Sequence, residues 1–461
     1  MSQAKTEPAK RSPFSDSLGP QPPGPSRLYP YLHLPKTRKN LISLFEGLKD
    51  KYGNIVLMKT LSKRRLYFIN EPELIRQVLV TQANNFTKDR ILELSKEVML
   101  GEGLLTSEGK FHRRQRKLSA PAFHRKRIEL YAESMTDYAQ RTARTWENGA
   151  TVDMDHEMMR LTLAVVAKTL FDAEVDNNAA EIGEALNTIM GYFPMMLGPF
   201  AKLRFQLSPI RRKKFFAARK IIDDTIHQMI RERRSSGKDH GDLLSMLLSA
   251  QDEDDGSQMT AEQVRDEAVT LFLAGHETTA NALTWAWHLL SKHPEQEQRL
   301  HEEVDRVLQK NLSAYESYQE LIYTRKVFAE TMRLYPPAHT LGRRAIQAFE
   351  LGGYKLPAGA GVAMSPFIIQ RDPRFWEEPL KFQPERWGDE PHKKRDFTYF
   401  PFGGGPRICI GQAFAWMEGV LLLAHLSHKW QARMVPNHPV EMRPLITLRP
   451  RHGMQMTLHK R

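Results

Sequence analysis

The single cysteine of this 461-residue chain is its most chemically suggestive residue. Cys409 lies in Phe402-Gly403-Gly404-Gly405-Pro406-Arg407-Ile408-Cys409-Ile410-Gly411, immediately before a segment patterned as a helix from about 410 to 429. Glycines allow a tight turn and close approach to a flat ligand, and Arg407 offers a planar fork to a carboxylate. A thiolate ahead of a helix N-terminus is favoured by the helix dipole. One cysteine excludes an intrachain disulfide framework and any multi-cysteine zinc or iron–sulfur centre, so Cys409 acts alone or is inert filler. A glycine loop before a helix also suits phosphate, but no Gly-Lys-Ser/Thr follows and no βαβ pattern precedes it. The second candidate cluster is Leu271-Phe272-Leu273-Ala274-Gly275-His276-Glu277-Thr278-Thr279-Ala280. Two readings stand for it: a tolerated glycine beside a solvated glutamate, or a bulge where a ligand meets the backbone and Glu277 and a threonine hydroxyl relay protons.

These residues need a scaffold, and the sequence describes one. Thr260 followed by Gln263 forms a capping box, and nothing stops the helix before Pro294, which predicts about 30 residues and roughly 45 Å. From about 120 to 330 apolar residues recur at three and four spacing, the mark of amphipathic helices. A strand pair is expected near Ile55–Met58 and Leu66–Ile69 around a Lys63-Arg64-Arg65 turn, and short β runs return between 340 and 365. Residues 372 to 405 read as a Pro-, Gly- and aromatic-rich meander, and no internal repeat is visible. The fold class expected is mainly α with a small β-rich lobe. Residues 1–26 read as a disordered Pro/Gly/Ser-rich leader and 27–461 as a single domain.

At the cysteine loop the chain resembles the cytochrome P450 family, whose signature F-x-x-G-x-R-x-C-x-G is filled by Phe402, Gly405, Arg407, Cys409 and Gly411. Three more family motifs follow suit: Glu330-x-x-Arg333, Phe382-Gln-Pro-Glu-Arg386-Trp387 with Trp where Phe is commoner, and Ala274-Gly-His-Glu277-Thr278-Thr. The resemblance implies a haem between the long central helix and the cysteine loop, haem b as cofactor, and Cys409 as the axial thiolate of its iron. It implies a charge network of Glu330, Arg333 and Arg386, and propionate partners Arg407, Arg116, His112 (where Trp is commoner) and Arg343, with Arg344 adjacent. Glu277 and Thr278 take the place of the acid–alcohol pair that delivers protons to bound O₂. The segments that line the family's distal pocket are apolar here. They include Met190, Phe193, Leu271, Phe272, Ala274, Ala338 and Ile446, with Tyr192, Met195, Met196 and Leu445 beside them. The expected activity is hydroxylation or epoxidation of a lipophilic fatty acid, terpenoid, steroid or polyketide. Electrons are expected from an external ferredoxin with its reductase or from a flavodoxin-type donor.

Other functions were weighed against this one. A haem-thiolate peroxygenase would share Cys409 but would not need Glu277 and Thr278. A haem sensor without turnover is a third possibility, and a nucleic-acid binder is suggested by the net charge of +13. That charge is local, however. Lys110–Arg127 and Lys202–Lys220 carry eight basic residues each and no acid, so the remainder of the chain is slightly acidic. The first stripe holds Arg116 and is expected to steer an acidic electron donor through Lys110, Arg113, Arg114 and Lys117. The second is either a solvated helix face or a contact with an anionic membrane. Nucleic acid is not expected as a partner. The longest charge-free apolar stretch, residues 185–201, is broken by Gly and Pro, so no transmembrane anchor is expected and the protein reads as monomeric and cytoplasmic.

Overall fold

The computed structural model describes residues 20–26, 41–59, 65–172, 179–196, 205–238, 240–252, 256–394 and 396–461, with the side chains of 179, 180, 187 and 193–196 outside the description. Eight helices build the site: α1 (Gly109–Ser119), α2 (Arg125–Thr145), α3 (Met154–Phe171), α4 (Ala179–Met196), α5 (Pro209–Ser236), α6 (Ala261–Lys292), α7 (Ile322–Leu334) and α8 (Gln412–Ser427). Among the described residues twelve strands accompany them: β1 (Ile55–Lys59), β2 (Arg65–Ile69), β3 (Phe86–Lys88), β4 (Thr151–Asp153), β5 (Leu341–Ala345), β6 (Phe349–Leu351), β7 (Tyr354–Leu356), β8 (Gly361–Met364), β9 (Trp430–Met434), β10 (Met442–Pro444), β11 (Leu448–Pro450) and β12 (Gln455–Lys460). Helices dominate and the sheets are small, as the apolar periodicities predict.

The central helix α6 starts as its sequence dictates. Thr260 Oγ1 accepts from Gln263 N at 3.2 Å while Thr260 N donates to Gln263 Oε1 at 3.0 Å. Its 32 residues cross the molecule. Beyond Thr279 it is buried on all sides, with Leu283, Trp285, Trp287 and Leu290 enclosed, because α3, α7 and α8 pack around it. The bulge considered near Gly275 is not formed: α6 is continuous there, and the hydroxyls of Thr278 and Thr279 bond the carbonyls of Ala274 and Gly275 at 2.9 and 3.4 Å. Gly275 serves packing instead, since a Cβ there would lie 3.0 Å from a Val166 methyl of α3.

The β lobe is a five-stranded sheet of order β1-β2-β8-β5-β3. β2 and β8 run parallel with Leu66 opposite Gly361; the other neighbours are antiparallel. Alternation along β2 splits the core, Tyr67 and Ile69 joining one apolar cluster and Phe68 another on the opposite face. The expected β1–β2 pairing is present, and its connecting residues 60–64 lie outside the described residues. β12 sits between β4 and β9, and β10 pairs with β11 as a hairpin. One boundary differs from expectation. Residues 20–26, read from composition as part of the leader, lie against β1, where Pro22 and Pro25 are buried and Pro23 O accepts from Leu57 N at 2.9 Å.

Candidate active site

The cysteine turn is built by glycines with no substitute. Gly405 has φ +66°, and a Cβ there would fall 1.8 Å from Leu79 O. The turn closes through Ile408 N to Gly405 O and Cys409 N to Phe402 O, each at 3.0 Å, and Gly411 then opens α8. The Phe402 ring leans on Trp416 of α8, centroids 6.3 Å apart. The Cys409 side chain has open space beside it, yet surrounding protein desolvates it enough to raise its pKa. The thiol is thus accessible while protein packs closely around it. The Gly411 N–H and the Arg116 guanidinium pull the pKa back down but do not win. The expected dipole-stabilised thiolate is therefore not met by the chain alone, because burial outweighs the helix N-terminus; a bound cation would have to complete the balance.

Around this turn stands a cluster of cations that nearby acids pair only in part. Arg116 Nη1 donates to Ile408 O at 2.8 Å. Arg407 Nη1 donates to Ser107 O at 2.9 Å and its other nitrogen pairs with Glu108. Arg343 is desolvated, which lowers its pKa, and Arg407 lowers it further. Arg344 instead pairs with Glu93, so of the two adjacent arginines it is Arg343 that joins the cluster. His112 is buried, and desolvation together with the fields of Arg407, Lys88, Arg116 and Arg113 brings its pKa down to about 3, leaving a neutral imidazole. Lys88, unnoticed in the sequence, is buried with Nζ on Leu104 O at 2.7 Å, and desolvation with the field of Arg407 lowers its pKa to about 7. Like charges that depress one another in an enclosed place suit a dianion, and haem presents two propionates. The donor set fits the group.

Behind the turn lies a closed ionic network. Glu330 and Arg333 of α7 are both 0% exposed. Arg333 reaches Glu330 through two nitrogens at 2.8 Å, Arg386 Nε donates to it at 3.0 Å, and Gln383 N and Trp387 Nε1 complete five donors at 3.0 and 2.9 Å. The remaining Arg333 hydrogens go to the carbonyls of Gln370 and Pro379 at 2.7 Å and of Lys381 at 3.2 Å. No polar atom of the pair is stranded, which is the condition for burying it.

On α6 the residues divide by face. Ala274 is exposed and Leu273, Gly275 and Thr278 half-buried, whereas the residues of α6 on either side of this stretch, Val264–Phe272 and Thr279–Leu290, are buried, so this face of mid-helix is the accessible one. Glu277 points elsewhere: Arg449 Nε of β11 donates to its Oε1 at 2.8 Å and Thr447 Oγ1 donates to the same oxygen. Phe272, expected in the pocket, is 1% exposed and packs edge-on to Phe171 of α3, because 100° per residue turns it away from Ala274. Leu271 is buried in the helical core; Met190 of α4 and Leu445 line a separate hollow; Ala338 is half-buried, and Ile446 is 37% exposed on the β10–β11 connection. The side chain of Phe193 lies outside the described residues. Two buried acids were also missed. Glu267 accepts from Leu104 N at 2.9 Å and Gln115 Nε2 at 3.1 Å, and desolvation raises its pKa to about 7. Glu418 of α8 touches Thr279, and desolvation raises it to about 8.

A glycine turn that presents an accessible lone cysteine ahead of a helix, with Arg116, Arg407 and Arg343 near it and a buried Glu330–Arg333 pair in the same fold, is the arrangement of a haem-thiolate type of protein. The profile of the Cytochrome P450 family matches residues 22–457, and the chain belongs to that family. It is 38% identical over 403 residues to cyclooctatin synthase of Streptomyces melanosporofaciens, covering 86% of this chain and 87% of the relative. To cyclooctat-9-en-7-ol 5-monooxygenase of the same organism it is 36% identical, covering 84% of each. To pentalenene oxygenase of Streptomyces avermitilis it is 32% identical, covering 88% of this chain and 90% of the relative. The protein is a haem-dependent monooxygenase that uses O₂ and electrons from a redox partner to oxidise a lipophilic small molecule. Among the described residues no helix is long and apolar enough to cross a membrane.

Proposed function

We propose that the substrate is a terpenoid hydrocarbon or its first hydroxylated product, oxidised by a haem b enzyme that works as a cytoplasmic monomer with a ferredoxin or flavodoxin-type donor. The names of the relatives, an unsaturated alcohol and an unsaturated hydrocarbon among them, support this class. The observation that carries the chemistry is the accessible lone Cys409 on its glycine turn, with Arg116 held on Ile408 O beside it and Arg407, Arg343, Lys88 and neutral His112 acting on one another nearby.

In this reading Cys409 is the iron ligand, and Arg116, Arg343 and Arg407 hold the propionates, with neutral His112 as a hydrogen-bond donor. When bound, haem supplies reductive activation of O₂. Thr278 sits on the open face of α6 and offers a hydroxyl that can turn from Ala274 O toward a ligand. Glu277 precedes it in sequence and is the acid that would replenish the Thr278 proton on turning from Arg449 and Thr447, which hold its carboxylate on another side of α6.

A carbon-monoxide difference spectrum of the reduced protein tests the ligand: a strongly red-shifted Soret band is expected, and its absence in folded, haem-loaded protein would overturn the assignment. A spin-state titration with terpenoid hydrocarbons and alcohols tests the class; a response only to fatty acids would refute it. Thr278→Ala should keep the spectrum but divert roughly 10-fold or more of the electron flow to peroxide. Equal coupling of NADPH consumption to product would remove Thr278 from the proton path.

A further inference from the structure

Leu104 is gripped at both of its backbone polar atoms by buried ionisable side chains, one an acid and one a base. Its N–H donates to Glu267 Oε2 of α6 at 2.9 Å, and its carbonyl accepts from Lys88 Nζ of β3 at 2.7 Å. Glu267 is 0% exposed, and Lys88 and Leu104 are buried with it. Gln115 Nε2 of α1 donates to the other Glu267 oxygen at 3.1 Å, so α1, β3 and α6 all converge on one residue of the loop 101–108. The loop sits directly on α6, since a Cβ at Gly101 would fall 2.0 Å from the Asp266 carboxylate and one at Gly103 2.0 Å from Thr270 Oγ1. The hydroxyls of Ser107 and Thr270 are buried without partners, which makes this seam polar yet incompletely satisfied. A seam of that kind is where a loop parts from its support at least cost.

We propose that Glu267 and Lys88 form a two-handed clasp on Leu104 that holds loop 101–108 shut against α6, and that the clasp yields when Glu267 gives up its proton. The clasp is independent of the substrate class and of the proton path to Thr278. Its physical basis is the cost of an enclosed carboxylate. With the loop shut, water is excluded from Glu267, and two donors do not replace the lost hydration; with the loop open, water reaches it. Burial brings Glu267 up to about 7 from its ordinary 4.5, helped by the field of Asp266 and opposed by the Leu104 and Gln115 donors and the field of Lys88. A proton is therefore taken up as the loop shuts, and the added hold is full below about 4.5 and lost as pH rises through about 7. The groups facing Glu267 are Asp266 of α6, itself paired with Arg265, and Lys88 of β3. Around Lys88 stand Arg407 of the cysteine turn, Glu108 of the loop, Arg343 of β5 and His112 of α1. Burial lowers Lys88 from 10.5 to about 7, so below that pH it is charged whether the loop is shut or open and adds no slope. The same loop ends in Ser107 and Glu108, which hold Arg407, so the clasp ties the seat of that arginine to proton uptake.

The test follows amide exchange at Leu104 in haem-loaded protein, expressed as protection relative to the intrinsic rate at each pH. Parent protection should fall roughly 10-fold or more between about pH 5 and pH 7. Glu267→Gln, which cannot ionise, should keep its protection across that interval. Gln115→Met removes a donor that favours the carboxylate, and should move the fall to higher pH. Lys88→Met releases only the Leu104 carbonyl, and should lower protection about threefold or more at every pH while leaving a fall in place. A flat parent profile, or an equal fall in Glu267→Gln, overturns the proton link, and parent-like protection in Lys88→Met overturns the second hand of the clasp. A parallel fall at Leu283, enclosed in α6, would trace the effect to the whole molecule and overturn the proposal as well. Should Glu267→Gln fail to load haem, Gln115→Met decides: a fall that stays where it is in the parent removes Glu267 as its source.

Discussion

Glu330 shows how much a single side chain can be required to do. It is 0% exposed and takes five hydrogen bonds, so removing its charge leaves Arg333, itself 0% exposed, as an uncompensated buried cation. Glu330→Gln should cost about 3–5 kcal/mol and appear as lost haem loading and a lowered unfolding midpoint rather than altered product. The unusual Trp387 has a physical meaning here, since its indole N–H is one of the five donors and a phenylalanine would supply none. Glu418 is a contrasting case, a buried acid among apolar side chains whose carboxyl oxygens meet little beyond the Thr279 hydroxyl. Folded Glu418 holds its proton up to about pH 8, whereas the unfolded chain releases it near 4.5. Stability from this site therefore falls as pH rises through that window. Glu418→Gln should flatten the decline and gain about 1–3 kcal/mol at pH 8, read from melting curves across pH. Residue types such as the lone Cys409 and the Glu330–Arg333 spacing are legible in a sequence because identity and order define them. Lys88, Glu267 and Glu418 are not, because what sets them apart is depth, and depth is a property of the packing.

At the scale of elements, the best-read feature is α6, whose capping box and proline stop fix both ends within a residue or two. Its interior was harder, since a glycine followed by an acid and two threonines looks unfavourable until the hydroxyls are seen to bond carbonyls one turn back. The loop 101–108 was not foreseen as an element at all. It is tied to α6 by Glu102 N on Asp266 at 2.8 Å and Leu104 N on Glu267 at 2.9 Å, and its end supplies Ser107 and Glu108 to Arg407. Contacts between positions so far apart in sequence leave no periodicity to read. Gly103 makes the docking possible, because a Cβ there would lie 2.0 Å from Thr270 Oγ1 and 2.6 Å from Asp266 O. Gly103→Ala should lift the loop at about 1–3 kcal/mol, speed haem transfer to apomyoglobin, and increase amide exchange at Leu104.

At the scale of the molecule, the basic excess resolves into surfaces. α1 turns His112, Gln115 and Leu118 inward and leaves Lys110 and Arg113 exposed on its outer face. Arg114, expected to face an electron donor, is instead committed to Asp252 at 2.8 Å and Ser257 Oγ at 2.7 Å. The surface proposed to receive an electron donor is thus narrower than the sequence stripe, and Lys110→Glu with Arg113→Glu should slow reduction by an acidic ferredoxin roughly 10-fold at low salt and flatten its salt dependence, with an unchanged haem spectrum. The same scale governs how the molecule comes into being. The lobe sheet joins Leu66 to Gly361 and Lys88 to Arg343, so its early strands wait for partners made nearly 300 residues later. At 5–20 residues per second that wait is about 15–60 s. Throughout it, β1 and β2 form at most an isolated hairpin with both apolar faces bare, a species prone to pairing with its neighbours on a polysome. Yield in a foreign host should therefore depend on translation speed and chaperone supply before haem availability becomes limiting.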